Sequence, residues 1–225
     1  MLEAIRKALV LAPHPDDEVL GCGGTIARLA QAGSHVHVGI VTRADGAGFP
    51  PDTVAIGRRE AAAAHGMLGV RQTHYLDQPA VGLDMISGAE LNRVIGELVE
   101  SLSPDTLFVP FLGDVHVDHQ RIFQAAMVAV RPRSVAVPVR VLAYETLSET
   151  NWYAPGITPA FVPDTFIDIG ETIEIKLRAF ACFASQVREF PDERSIRALE
   201  AQALVRGATV FRRAAEAFMT VRQIW

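Results

Sequence analysis

The sequence predicts an α/β fold, a mostly parallel sheet with helices on both faces and an active site at the C-terminal ends of the strands. Two observations carry this. Strand-like and helix-like segments alternate through the first two-thirds of the chain. The strands are separated by helical stretches of roughly 10–15 residues, which implies βαβ units and a sheet covered on both sides. Right-handed crossovers then bring every strand's C-terminal end to one rim, where such sheets bind ligands.

The elements follow in order. Residues 8–13 (ALVLAP) are a short apolar run, a buried strand by length and context. Residues 25–31 are helical, ending near Gly33. Residues 35–42 (HVHVGIVT) alternate and are β-branched, giving the second strand. Residues 55–68 hold helix formers with Gly69 as a stop. A third strand is expected over 73–76, a helix with a full apolar stripe over 89–102, and a fourth strand over 106–111. A helix over 120–130 and a fifth strand over 139–145 complete the alternation. Residues 148–163 differ, with Trp152, Tyr153 and Phe161 among prolines and a glycine; they read as a long loop of the kind that often carries function. Residues 171–207 read as two helices interrupted at Pro191.

A length of 225 residues without repeat or linker suits one domain, 1–225. Hydrophobic residues make up 49% and charged residues 21%, so a large core is expected and disorder is not. A net charge of −5 gives no general attraction to nucleic acid or anionic lipid. Cys22 and Cys182 are the only cysteines, too few for a disulfide framework or a structural zinc cage. The N-terminal apolar run is too short to span a membrane and lacks a signal-peptide cleavage region, so a cytoplasmic protein without a transmembrane segment is expected.

Two clusters carry chemistry. In the first, APHPDDEVLGCGG, Pro13 and Pro15 place His14 in a sharp turn where the first strand ends. Asp16, Asp17 and Glu18 follow at once, and burying adjacent carboxylates without a cation is costly. A metal ion resolves that conflict: His14 and Asp17 supply nitrogen and oxygen ligands suited to zinc, and Asp16 beside them can serve as a general base. Acids capping a helix would look the same in isolation. A dinucleotide-binding loop does not fit, because Gly21, Gly23 and Gly24 have the wrong spacing and the acids would repel a pyrophosphate. Cys22, inside the glycine-rich stretch, reads as packing.

The second cluster, GDVHVDHQ, follows the fourth strand. A catalytic zinc site keeps three protein ligands and one open position, so either His119 or His116 can complete the set, leaving the other for proton transfer or oxyanion stabilisation. If this turn is not yet regular helix, Asp118 can face His116, orient it and raise its pKa. His35, His37, His65 and His74 are scattered singly and read as structural.

With these residues the sequence resembles the LmbE-like (PIG-L) deacetylase family. Its first motif, P-H-P-D-D-E with a glycine-rich helix start, is matched by residues 13–18 and by Gly21, Gly23 and Gly24; its second, H-x-D-H, by residues 116–119. Weaker likenesses at Arg59-Glu60, 68–70, Tyr144-Glu145, Ser185-Gln186 and 215–218 extend over nearly the whole chain. The resemblance implies a Rossmann-like fold with zinc held by His14, Asp17 and His119. It implies Asp16 as general base and His116 as the group that stabilises the oxyanion or protonates the leaving amine. It implies a small-molecule amino-sugar or glycoconjugate substrate, deacetylated at an N-acetylglucosamine-type sugar, and a homo-oligomer. Ferrous iron tolerates the same ligands as zinc. Two rivals stand beside this reading: a zinc amidase acting on a thiol-sugar conjugate, using the same residues on a larger acyl group, and a non-catalytic sugar- or metal-binding domain, which would need neither Asp16 nor His116.

Overall fold

Five residues of the first strand, from Ala8 to Ala12, are fully buried, so an apolar run without alternation becomes the middle of the sheet. The computed structural model describes residues 4–46, 48–133, 137–152, 154 and 156–224. Its strands are β1 (Lys7–Ala12), β2 (His35–Arg43), β3 (Gln72–Pro79), β4 (Thr106–Pro110), β5 (Arg140–Tyr144), β6 (Thr165–Asp168) and β7 (Ala215–Gln223). They form one sheet in the order β3-β2-β1-β4-β5-β7-β6. The first five are parallel, and β7 runs antiparallel to both β5 and β6.

The mostly parallel sheet of the sequence reading is therefore present, and its order adds what periodicity cannot give. The chain steps outward from β1 through β2 to β3, then returns to pair β4 on the other side of β1. The reversal opens a crevice at the C-terminal ends of β1 and β4, the place where open α/β sheets bind ligands.

The helices are α1 (Asp17–Gln31), α2 (Thr53–Leu68), α3 (Gly88–Leu102), α4 (Val117–Ala129), α5 (Ile173–Ala181) and α6 (Ile196–Thr209). Two apolar cores flank the sheet. One gathers residues of α1, α2, α5 and α6, and the other those of α3 and α4. Among the described residues, no helix is long and apolar enough to cross a membrane.

Three differences from the sequence reading have physical causes. The first helix starts at Asp17 rather than residue 25. Glycines weaken a helix by propensity, but here they admit close neighbours. A Cβ on Gly21 would run into the ring of Tyr144, and one on Gly24 would lie 2.7 Å from Ile169 Cδ1. The glycine-rich stretch is a packing surface, and Cys22 is fully buried within the same core. Second, no strand beyond residue 145 is legible in the sequence, because β6 and β7 carry neither clean alternation nor a continuous apolar run. Third, α4 starts at Val117 with His116 as its N-cap, slightly before the expected residue 120. In the expected loop, Phe161 packs edge-on against Phe111, with ring centroids 5.2 Å apart, and Trp152 is exposed. Tyr153 lies outside the described residues.

A buried ion pair fixes α1 to the C-terminal half. Glu216 on β7 accepts hydrogen bonds from the backbone N–H groups of Gly24 (2.8 Å) and Thr25 (2.7 Å) and from Lys176 Nζ on α5 (2.6 Å). Lys176 also donates to the Leu20 carbonyl at 2.8 Å. Both charges are thus paired and hydrogen-bonded, which is the condition under which a buried pair persists.

The packing of Gly24 is directly testable. Gly24→Val should lower unfolding free energy by about 1–3 kcal/mol, the usual cost of overpacking a well-filled core. Urea denaturation reads the difference, and an unchanged midpoint would show that Ile169 has room to move.

Candidate metal centre

Two strand ends build the site. After β1, the turn through Pro13 and Pro15 leaves Asp16 with φ at 121°, an uncommon conformation for a residue other than glycine. The turn then enters α1, whose first turn holds Asp17 and Glu18. After β4, residues 111–116 carry Asp114 and His116 and lead into α4, whose first turn presents Asp118 and His119.

His14, Asp17 and His119 each offer one ligand atom, all within 4.8 Å of one another. Asp17 Oδ2 lies 3.3 Å from His14 Nδ1 and 3.3 Å from His119 Nε2. Asp17 and His119 are completely buried, yet among the described residues Asp17 Oδ1 and His119 Nε2 have no hydrogen-bond partner. Orphaned buried polar atoms are rare, and a site for an ion is one of their ordinary explanations. Two imidazoles and a carboxylate are a set that divalent zinc takes up, so these residues fit a metal ion.

Each of those histidines is backed by a second carboxylate. His119 Nδ1 is 2.8 Å from Asp114 Oδ2, and His14 Nε2 is 3.1 Å from Asp118 Oδ2. Metal-ligating histidines usually donate their other ring N–H in this way, which fixes tautomer and ring orientation. Asp114 carries no motif signature of its own. Its only sequence signal is a position five residues before His119.

Asp118 is placed differently from the sequence expectation. Its carboxylate accepts the N–H groups of Val81 (2.7 Å) and Leu83 (3.2 Å) and faces His14, while His116 Nδ1 stands 4.0 Å away. His116 Nδ1 instead accepts the backbone N–H of Asp118 at 3.1 Å. Burial and the neighbouring His14 cation lower the His116 pKa to about 4, despite Asp118. The expected rise is therefore corrected: His116 is neutral at pH 7, and with Nδ1 accepting, its proton sits on Nε2. A second group of possible ligands, His14, His116 and Asp118, shares His14 with the first but lacks its orphaned atoms.

The two remaining acids of the first motif separate. Glu18 is sealed inside, 2.8 Å from His65 Nε2, whose Nδ1 meets Thr73 Oγ1 at 2.6 Å. Asp16 Oδ2 is 2.7 Å from Arg194 Nη1, a contact with no counterpart in the sequence motifs. Burial raises the Asp16 pKa to about 8, with Arg194 opposing the rise. His37 on β2 pairs with His74 on β3 at 3.1 Å.

A cleft of about 640 Å³ opens over His14, Asp16, His116 and Arg194. Phe49, Tyr75, Ser185 and Gln186 are among its walls. A small organic molecule fits such a volume.

Comparison with known proteins places this geometry. The profile of the family described as GlcNAc-PI de-N-acetylase (PIG-L) matches residues 9–130, which contain both clusters. The chain is 29% identical over 180 residues to an uncharacterized deacetylase of Escherichia coli strain K12, covering 77% of this chain and 88% of that one. It is 27% identical over 199 residues to the diacetylchitobiose deacetylase of Thermococcus kodakarensis, covering 84% of this chain and 72% of the relative. Its fold matches the crystal structure of a conserved protein from Thermus thermophilus with a TM-score of 0.78 at 25% identity, over 97% of this chain and 96% of that one.

The charges of the centre predict how metal-free protein responds to pH. Burial opposes protonation of His14 and His119, but the facing carboxylates outweigh it and raise them to about 9 and 10 from 6.5. The stability they contribute is present in full below the unfolded value of 6.5 and is lost as pH rises through 9 to 10. Asp16 acts in the same direction between 3.8 and about 8, because the folded state there holds a proton that the unfolded state releases. The Tm of chelator-treated protein should therefore fall from pH 6.5 to 10, and a divalent metal should flatten the fall. A profile identical with and without metal would show that no cation binds among these groups.

Proposed function

The chain belongs to the PIG-L family, and from that premise we propose that it is a divalent-metal-dependent hydrolase that removes the N-acetyl group of an N-acetylglucosamine-type sugar derivative. One observation carries the reading: His14 Nδ1 and His119 Nε2 converge on Asp17, with Asp17 Oδ1 and His119 Nε2 left unpaired in a buried setting. The relatives support the substrate class, since those of known substrate by name are deacetylases of diacetylchitobiose, of a glucosaminyl malate and of an inositol acetamido-glucoside.

His14, Asp17 and His119 would hold the metal, with zinc suited to the donor set and ferrous iron accepting the same ligands. When bound, the ion supplies Lewis-acid polarisation of the amide carbonyl and brings the pKa of a water to roughly 7. Asp16 is the general base. It lies in the cleft beside the ligands; without metal it holds its proton up to about pH 8, and a bound cation together with the Arg194 contact would favour the charged form that accepts a proton. It takes the water's proton as the new carbon–oxygen bond forms, then returns that proton to the nitrogen as the carbon–nitrogen bond breaks. His116, neutral with its proton on Nε2 and lining the cleft, donates to the developing oxyanion rather than acting as an acid. Glu18, closed off by His65, has no part in the proton transfer.

Metal content should fall sharply in folded His14→Ala and His119→Ala proteins; full zinc in both would move the ligand set elsewhere. Metal-loaded protein should release acetate from at least one of N-acetylglucosamine, chito-oligosaccharides or N-acetylglucosaminyl conjugates. Silence across that panel would sink the deacetylase reading.

Asp16→Asn should keep its metal and lose about 10²–10⁴-fold in rate. In Arg194→Met the Asp16 pKa should rise, so the acid limb of the pH–rate profile moves to higher pH. A limb that stays in place would detach Asp16 from the proton transfer.

A further inference from the structure

The turn after β5 touches both halves of the centre although it contains no metal ligand and no part of either motif. Thr150 Oγ1 accepts the Thr146 backbone N–H at 2.9 Å, so its own proton is free for Asp114 Oδ1, 2.6 Å away. Asp114 Oδ2 in turn accepts His119 Nδ1–H at 2.8 Å, which leaves the orphaned Nε2, the atom that would take the metal, facing Asp17. The relay is buried at Asp114 and His119 and runs unbroken from the Thr146 amide to the ring of His119.

The same turn reaches the base. Ser148 Oγ accepts Arg194 Nε at 3.0 Å, and Arg194 Nη1 holds Asp16 at 2.7 Å. Glu193 binds the turn from the other side, accepting from Ser148 N–H at 2.9 Å and Asn151 Nδ2 at 2.6 Å. The Glu149 carbonyl accepts the Val115 N–H at 3.2 Å, next to His116.

We propose that Thr150, acting through Asp114, is a positioning residue for His119, and that residues 146–151 set the metal ligand and the base in register. The chemistry of the two arms explains the choice of residues. A hydroxyl fixes the Asp114 carboxylate without neutralising it, so its charge remains available to the histidine and the cation beyond. An arginine does the opposite at Asp16, matching the charge of a carboxylate that has to be ionised to accept a proton. Fixing both oxygens of Asp114 also prevents its rotation, which would release His119 to the other tautomer and turn an N–H toward the metal.

The proposal rests on the reading of His119 as a ligand, and the test separates the two. Zinc affinity is measured by competition with a chelating dye, alongside the Tm of metal-free protein and the ¹⁵N shifts of the His119 ring in zinc-loaded protein. Asp114→Asn should bind zinc about 10–100-fold more weakly. Thr150→Val should lose about tenfold, with a mixed His119 tautomer and a metal-free Tm near that of the parent, and Thr150→Ser should restore both affinity and tautomer. Should the valine variant fail to fold, Thr150→Ala against Thr150→Ser reads the same hydrogen bond. Parental affinity and tautomer in Thr150→Val, or a loss that serine does not restore, overturns the relay. A parent protein that takes up no zinc at all overturns the ligand assignment itself, and the relay with it.

Discussion

Carboxylates buried at the junction of β1 and β4 are costly without hydrogen-bond donors or cations beside them, and the surroundings of the site are arranged around that demand. Glu18 is met by His65, Asp16 by Arg194, Asp114 by His119 and Thr150, and Asp118 by His14 with two backbone N–H groups. Asp17 remains between two imidazoles with one oxygen unpaired. In metal-free protein the shortfall is met by protons on His14 and His119, the reason both are raised. A divalent cation held there would meet it by displacing those protons and satisfying the orphaned atoms together.

Three histidines lie within one small volume and take different states because their second nitrogens meet different partners. His14 and His119 face carboxylates and are driven toward positive charge or a metal. His116 faces a backbone amide, lies beside a protonated His14, and stays neutral. The N-cap position explains this, since the first turn of a helix has N–H groups in need of an acceptor and His116 supplies one. In the proposed reading this single local feature keeps His116 out of the ligand set and leaves its Nε2–H for a substrate oxygen.

The C-terminal third supplies the second wall. β7 anchors α1 through Glu216, α1 carries Asp17, and the segment before α6 delivers Arg194 to Asp16. Glu60 on α2 accepts both the N–H (2.9 Å) and the hydroxyl (2.6 Å) of Ser185, joining that segment to the opposite side of the cleft. The weak likenesses at Ser185 and at Glu216 are therefore structural joints of the site, too dispersed along the chain to announce their purpose.

The sequence by itself determined the alternation of strands and helices, the rim on which the candidate ligands lie, and the two short motifs that contain them. These are local properties: apolar runs, helix-length spacings, and His and Asp residues crowded at strand ends. Only the tertiary structure decided the strand order that sets β1 beside β4, the helical state of the glycine-rich stretch, and the antiparallel pair β6 and β7. It also decided partners. Asp118 turned to His14 and the Val81 turn rather than to His116, and Asp114, Thr150 and Arg194 joined the centre from positions no spacing rule connects. Periodicity records which face of an element is buried. Which two side chains then share a proton or a cation depends on distances between elements far apart in the chain, and those exist only once the sheet has closed around them.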